Sequence, residues 1–128
     1  MNEYAELEIG LHRREAGVYT LDFRFSQPDS EADIRLGQDQ DLQASIDLEE
    51  LQNLTLDAKA YSQKLTADFF SDPNVKSAFA QAQASAQSLN LPLRLRLLIG
   101  PSAPELQSLR WETLYDLQGS SPVALAAP

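Results

Sequence analysis

Apolar and polar residues alternate along the first 25 positions, a period of two that is typical of β-strands with one buried side. The pattern predicts one strand over residues 5–12 and a second over residues 19–25. Five residues ending in Gly17 separate them, a length suited to a hairpin. The positions predicted to face the core are Ala5, Leu7, Ile9, Leu11, Tyr19, Leu21, Phe23 and Phe25.

Two shorter strands are predicted next, over residues 32–36 and 42–46. Proline and small polar residues around Pro28 favour a turn before the first of them, because proline restricts φ and Asp or Ser bonds locally to the backbone. A polar loop beginning at Gly37 separates the two. Together the four strands predict an antiparallel meander.

The middle of the chain has helical periodicity, and three aspartates precede the predicted helices as N-caps: Asp47, Asp57 and Asp72. Pro73 follows the third cap at the first helical position, where proline is favoured. Asn90 and Pro92 end this last helix. Its predicted buried stripe consists of Val75, Phe79, Ala82, Ala86 and Leu89.

Leu93–Ile99 is the strongest predicted strand, alternating at first and then continuously apolar, as in a strand that runs from an edge into a covered sheet. The long helix before it predicts a crossover to a parallel neighbour. Gly100 and Pro101 end the strand. After a short turn the chain reaches a tail, residues 119–128, that resembles a loop entering a further strand.

Charged residues occupy the solvent-facing positions of these strands. The spacing predicts cross-strand pairs between acids and arginines, each worth a few tenths of a kcal/mol up to about 1 kcal/mol. Glu6, Glu8 and Asp22 are expected near Arg24. Arg94 and Arg96 alternate on one side of the later strand and are expected to face a carboxylate such as Glu8 or Asp22.

Composition narrows the classes of function. Hydrophobic residues make up 43% of the 128 positions, enough for the core of one domain. The net charge of −9 argues against nucleic-acid binding, because an acidic surface repels phosphates. Without cysteine there is no disulfide, thiolate metal site or cysteine nucleophile. We find no signal peptide and no apolar run of about 20 residues, and expect a soluble cytoplasmic protein without membrane partners.

Candidate chemistry is sparse, and we assign no catalytic, cofactor-binding or metal-binding residue. His12 lies at the end of the first predicted strand on the face opposite to Leu7 and Ile9, so we expect it to face solvent. No nucleophile motif accompanies it. The acids around Asp39 and Asp41 lack the ligand spacing and central glycine of a calcium loop. The glycines are scattered and form no phosphate-binding loop.

The most distinctive segment follows the strand of residues 93–99. Trp111 lies three positions before Leu114 and four before Tyr115, so these side chains would share one helical face against the core. Glu112 points elsewhere, where it could accept hydrogen bonds from a backbone turn or from Arg110.

A Leu-Arg-Leu-Arg-Leu strand followed by Pro-Glu-Leu and then Leu-Xaa-Trp-Glu-Xaa-Leu-Tyr-Asp resembles the opening of CHAT domains. The matching signature residues are Leu109, Trp111, Glu112, Leu114, Tyr115 and Asp116. Val123, Ala124 and Leu125 lie where the family's next strand begins, and from residue 93 to residue 125 the resemblance covers about a quarter of the chain. The segment from Glu6 to Pro28 is similar to the amino-terminal leader of one bacterial subgroup of that family.

The resemblance implies an α/β fold in which an antiparallel meander and helices precede the first strand or strands of a caspase-like, three-layer sheet. Residues 1–128 would form one domain, with residues 1–90 as leader and residues 91–128 as the start of the CHAT core. A complete CHAT protein would hydrolyse peptides through a His–Cys dyad, but the family's catalytic positions have no counterpart here. His12 does not match them.

The resemblance also implies partners, namely the remainder of a CHAT domain and the tetratricopeptide-repeat or signalling ATPase modules often found with it. We therefore expect a non-catalytic amino-terminal scaffold of a CHAT-type cysteine protease. The alternative is a self-contained acidic adaptor that binds proteins through its sheet. A hydrolase acting through carboxylates is a third hypothesis, without paired acids at suitable spacing. An exposed sheet edge would favour homodimers.

Overall fold

A computed structural model describes residues 4–28, 34–37, 41–111 and 114. These form a mixed α/β fold whose sheet has five strands. The sequence predicts this fold class and these five strands. The elements in chain order are β1 (Ala5–Glu15), β2 (Val18–Ser26), β3 (Ile34–Leu36), β4 (Gln43–Ser45), α1 (Leu48–Asn53), α2 (Ala58–Phe69), α3 (Pro73–Ser88), β5 (Leu93–Ile99) and a 3-10 turn (Pro104–Ser108).

The hairpin of β1 and β2 is confirmed, but its connection is shorter than predicted. Glu15 pairs with Val18, so a turn at residues 16 and 17 replaces the expected five-residue link. Gly17 has a φ of 78°, a conformation that glycine adopts without steric cost. A register shift between Arg13 and Glu15 allows the charged end of β1 to continue the pairing.

The predicted four-strand meander is wrong in its last step. β3 and β4 both pair antiparallel with β2, at opposite ends of that strand. Leu36 lies opposite Phe23, whereas Ala44 lies opposite Tyr19. β2 has nine residues, long enough to accept two three-residue strands end to end. The flanking positions of the third predicted strand, including Ala32, lie outside the described residues.

All three predicted helix caps are confirmed. Each aspartate side chain accepts a hydrogen bond from a backbone N–H of the first turn: Asp47 from Glu50, Asp57 from Ala60 and Asp72 from Asn74, at 2.9–3.1 Å. Such caps satisfy N–H groups that have no partner inside the helix. Asp72 also accepts from the N–H of Gln43 at 3.2 Å, which ties the start of α3 to β4.

The buried stripe of α3 is confirmed except at its end. Val75, Phe79, Ala82 and Ala86 are buried, whereas Leu89 is 42% exposed. The next residue, Asn90, has a φ of 56° and turns the chain away from the helix axis. Leu89 therefore lies beyond the last full turn, and the helical spacing no longer governs where it points.

β5 pairs parallel with β1 over its whole length, as the crossover predicts. A covered position for this strand is not seen among the described residues. Within the described part of the chain the strand order is β3-β2-β1-β5, so β5 is an edge strand. Leu98 is 46% exposed because its side chain lies on the side of the sheet opposite to the core.

The sheet has two unlike faces because the alternation stays in register across β1, β2 and β5. Odd-numbered residues face the three helices, and we call this the covered face. Leu7, Ile9, Phe23 and Leu95 on it are 0–3% exposed. Even-numbered residues form the open face, which the described helices leave uncovered. The described residues thus form two layers, one sheet and one layer of helices.

Candidate functional site

The open face carries a band of charged side chains across three strands. Arg96 on β5 approaches Glu6 on β1, with 3.7 Å between Nη1 and Oε1. The guanidinium of Arg94 lies 4.6 Å from the centre of the Tyr4 ring, within the range of a cation–π contact. The sheet therefore brings acids and arginines together on this face as the sequence predicts, although with different pairs.

The register explains which pairs form. Arg24 lies opposite Glu8 in the β1–β2 ladder, as the spacing predicts, while Asp22 lies opposite Gly10. Arg96 lies beside Glu8 in the β1–β5 ladder but reaches diagonally to Glu6. Long side chains span such diagonal positions, so sequence spacing alone does not choose between neighbours.

His12 faces solvent as expected, but it does not lie at the strand end, because β1 continues to Glu15. Its Nε2 lies 3.2 Å from Oδ2 of Asp22, and both side chains are at least half exposed. The imidazole packs on Gly100, where an added Cβ would lie 2.7 Å from Nδ1. The N–H of Gly100 donates to the carbonyl of Leu11 at 2.9 Å, which holds the end of β5 against β1.

A shallow hollow of about 210 Å³ opens beside this pair. Gly10 forms part of its floor because glycine has no side chain, and Leu98 forms an apolar wall. The described lining residues supply imidazole, carboxylate and guanidinium groups but no hydroxyl, thiol or amine. This arrangement can bind a polar group, and its described lining offers no hydroxyl, thiol or amine nucleophile.

A buried tyrosine links the sheet to the turn after β5. The hydroxyl of Tyr19 donates to Oε2 of Glu105 at 2.9 Å, and Nη1 of Arg13 lies 3.9 Å from the same oxygen. Burial, and then this hydrogen bond, raises the pKa of Tyr19 to about 12. The pKa of Glu105 is lowered, first by a hydrogen bond from its own backbone and further by Tyr19 and Arg13.

Trp111 and Leu114 of the signature segment are buried, as predicted. The indole Nε1 donates to the carbonyl of Leu106 at 2.9 Å, and the ring meets Phe69 edge to face with 5.8 Å between centroids. The N–H of Leu114 donates to the carbonyl of Trp111 at 3.0 Å. The segment is thus anchored to the helix layer, and Leu109 packs partly buried against the same core. The remaining signature residues, Glu112, Tyr115 and Asp116, lie outside the described positions.

Arg110, between these anchors, is held by α2 and the loop before it. Its backbone N–H donates to the hydroxyl of Tyr61 at 3.1 Å, and its guanidinium lies 5.3 Å from the centre of that ring. Its Nη1 also donates to the carbonyl of Thr55 at 3.1 Å. The predicted contact between Arg110 and Glu112 involves a residue that the structure does not describe.

Metal-binding and membrane-spanning features are absent from the described ranges. They contain no group of three or more side chains that could hold a metal ion. Asp41 instead accepts a hydrogen bond from Arg14 at 2.7 Å, which lowers the pKa of this carboxyl, while Asp39 lies outside the description. No helix among these residues is long and apolar enough to cross a bilayer.

Two polar contacts were missed by sequence reasoning. Tyr19 and Glu105 are 86 positions apart, and nothing in their local patterns indicates that they meet. Asp68, which the sequence analysis does not single out, is 9% exposed and accepts from the N–H of Asp47 at 2.9 Å. An isolated acid on the face of a helix next to Leu65 and Phe69 is a weak signal that could have suggested a buried acceptor.

Comparisons with protein-family models, curated proteins and solved structures returned no match.

Proposed function

We propose that the chain is the non-catalytic amino-terminal scaffold of a CHAT-type, caspase-like cysteine protease. The observation that carries the proposal is the anchoring of Trp111 and Leu114 directly after β5. These two residues belong to the segment that resembles the CHAT signature, and both are buried as structural anchors. Their role is to hold the chain leaving β5 against the helices.

The two-layer architecture supports a scaffold that is completed by a partner. A caspase-like domain has three layers, and the open face of this sheet carries no layer from the described helices. The remainder of a CHAT domain would pack there or extend the sheet from β5. Repeat or signalling modules are the further partners that the resemblance suggests.

The chemistry of the chain supports a non-catalytic role. The sequence contains no cysteine, so a His–Cys dyad must draw its nucleophile from outside these 128 residues. His12 contacts Asp22 beside a hollow whose described lining lacks a hydroxyl, thiol or amine nucleophile. Its position in the middle of a hairpin also differs from the family's catalytic histidine, which follows a later strand.

A self-contained acidic adaptor is the second candidate. The observation that favours it is the open face itself, where charged side chains and the half-exposed Leu98 are available to a protein partner. An adaptor would use this surface without any link to proteolysis.

The reading frame beyond the codon for Pro128 separates the two candidates. The scaffold proposal expects further strands, then a His-Gly pair and a later Ala-Cys pair. A stop codon at that point would contradict it and favour the adaptor.

If the frame continues, its downstream product and residues 1–128 can be produced as two separate chains. We expect peptidase activity to require both chains, because the scaffold completes the protease sheet. Trp111 is the one tryptophan of these 128 residues and provides a fluorescence signal for their association. Full activity from the downstream chain alone would contradict a scaffold role.

A further inference from the structure

We propose that the outer edge of β5 binds an extended segment of a partner protein in which acidic and apolar residues alternate. The outer edge is the side of β5 that faces away from β1. Within the described residues no strand pairs with it. The inference rests on the backbone and side chains of β5 and not on the proposed function; under the scaffold proposal the added segment would come from the remainder of the CHAT domain.

The backbone of β5 presents its hydrogen-bonding groups to that edge in a known order. The carbonyl of Pro92 accepts from Ala5 on β1, and the N–H of Gly100 donates to Leu11 on β1. Successive residues of a strand direct these groups to alternate sides. Even-numbered residues therefore bond to β1, and the odd-numbered ones direct N–H and C=O outward: Leu93, Leu95, Leu97 and Ile99.

An incomplete apolar row defines one side of the added strand. Leu7 and Ile9 on β1 are fully buried, whereas Leu97, the β5 neighbour of Ile9, is only partly buried. Leu93 and Ile99 are partly buried in the same way. Apolar side chains of an added strand would lie beside these residues and complete the layer beneath the helices.

Arginines lie next to the side of the added strand that would belong to the open face. Arg94 and Arg96 project onto the open face two positions apart, the spacing of alternate residues in a neighbouring strand. They place two positive charges close together in a chain whose net charge is −9. Carboxylates on alternate positions of the added strand would face them, which is the charge complementarity that selects an acidic partner.

β1 shows what such a partner looks like. It lies on the inner side of β5 with Glu6 beside Arg94 and Glu8 beside Arg96, while Leu7 between them enters the core. The outer edge offers the same apolar row to a second strand. The guanidinium groups of Arg94 and Arg96 contact Tyr4 and Glu6 on the inner side and lie on the open face, where carboxylates of a second strand could also approach them. A segment with the Glu-Leu-Glu-Ile type of pattern therefore fits the outer edge as β1 fits the inner edge.

The test uses the full chain and a synthetic nine-residue peptide that alternates Glu with Val or Ile. Binding is measured by NMR titration of the ¹⁵N-labelled protein at low salt. We expect the amides of Leu93, Leu95, Leu97 and Ile99 to shift more than those of the even-numbered residues between them. A peptide with Lys in place of each Glu should bind at least about tenfold more weakly.

Two controls distinguish strand addition from charge attraction. N-methylation of every second peptide amide blocks either the N–H groups that face β5 or those that face away from it. Blocking the first set should abolish binding, and blocking the second set should leave binding intact. R94Q/R96Q should remove the preference for Glu over Lys peptides. The matched variant R35Q, on β3 at the opposite edge of the sheet, should keep it.

Three results would overturn the proposal. One is equal binding of the acidic and basic peptides, or shifts that avoid β5. Another is protection of the amides of Val123 to Ala126 from hydrogen exchange together with no peptide binding, which would assign the edge to the chain's own tail. The third is a concentration-dependent dimer, seen by sedimentation, whose interface protects β5, which would assign it to a second copy.

Discussion

The two faces of the sheet are built from the same strands and have opposite properties. On the covered face Leu7 and Ile9 are fully buried. On the open face their neighbours in sequence, Glu6 and Glu8, remain partly exposed among arginines. A shift of one residue along the strand thus changes a side chain from a core contact to a surface contact.

The odd-numbered and even-numbered residues of these strands therefore have different roles, the first in stability and the second in surface contacts. Burial of apolar area, worth about 25 cal/mol per Å², acts through the odd-numbered positions. Charge pairs on the even-numbered positions lie near solvent and contribute little to folding. Substitutions of the charged side chains on the open face are therefore expected to cost little stability.

The largest effect is expected on the covered face. Leu7→Ala should lower the free energy of unfolding by about 2–5 kcal/mol, because it leaves a cavity among fully buried neighbours. Glu8→Ala, one position further on the open face, should change it by about 0.5 kcal/mol or less. Urea unfolding followed by Trp111 fluorescence measures both, and equal losses would refute the different roles of odd-numbered and even-numbered residues.

The second effect is a loss of stability at high pH. Tyr19 has a folded pKa of about 12, above the value of about 10 for an unfolded tyrosine, so its neutral form stabilises the fold. As pH rises from 10 to 12 the unfolded state loses this proton first, and stability falls by about 1–2 kcal/mol.

Tyr19→Phe is the control for this pH effect, since it removes the titrating hydroxyl. The variant should show a smaller decline between pH 10 and 12 in urea unfolding followed at each pH. A decline as steep as that of the parent protein would show that other groups cause it.

A smaller loss of stability is expected for a substitution at Gly100, where the open face is tightly packed. Gly100→Ala would place a Cβ 2.7 Å from Nδ1 of His12 and 3.1 Å from the carbonyl oxygen of Leu11. We expect a loss of about 1 kcal/mol, because the exposed imidazole can move but the strand backbone resists.

His12→Ala provides the partner for a double-mutant cycle with Gly100→Ala. The double variant should recover part of the loss, since the imidazole is then gone and the backbone contact alone remains. Strict additivity of the two substitutions would show that the ring does not pack on Gly100.

The smallest effect is expected for the pair of Arg96 and Glu6. Glu6→Gln should lower stability by less than about 0.5 kcal/mol at low salt and by still less at high salt, because Arg96 is partly exposed. Thermal unfolding at two salt concentrations measures this. A loss above 1 kcal/mol would mean that the open face contributes to stability as the covered face does.

Local signals were sufficient for much of the fold. Alternation placed Leu7 and Phe23 on the buried side, and capping chemistry placed the helix starts at Asp47, Asp57 and Asp72. These features depend on neighbours within a few residues. A parallel neighbour for β5 was also predictable, because a long helix precedes that strand, but the identity of that neighbour as β1 was not.

The candidate site was less predictable. The sequence indicated charged residues on one side of the strands, but the pairs of Arg96 with Glu6 and of His12 with Asp22 depend on register. Leu98 is exposed because it lies on the open face, although its apolar neighbours predicted a covered strand. Strand order is a property of the whole sheet, and no local pattern encodes it.

The sequence by itself determined the period of each element, the capped helix ends and the absence of a cysteine nucleophile. Only the tertiary structure decided that β3 and β4 share one side of β2, that Tyr19 meets Glu105, and that β5 lies at the edge of the sheet formed by the described residues. The reason is physical. Periodicity and capping arise from contacts a few residues apart, whereas strand order and long-range hydrogen bonds depend on how all the elements bury their apolar surfaces together.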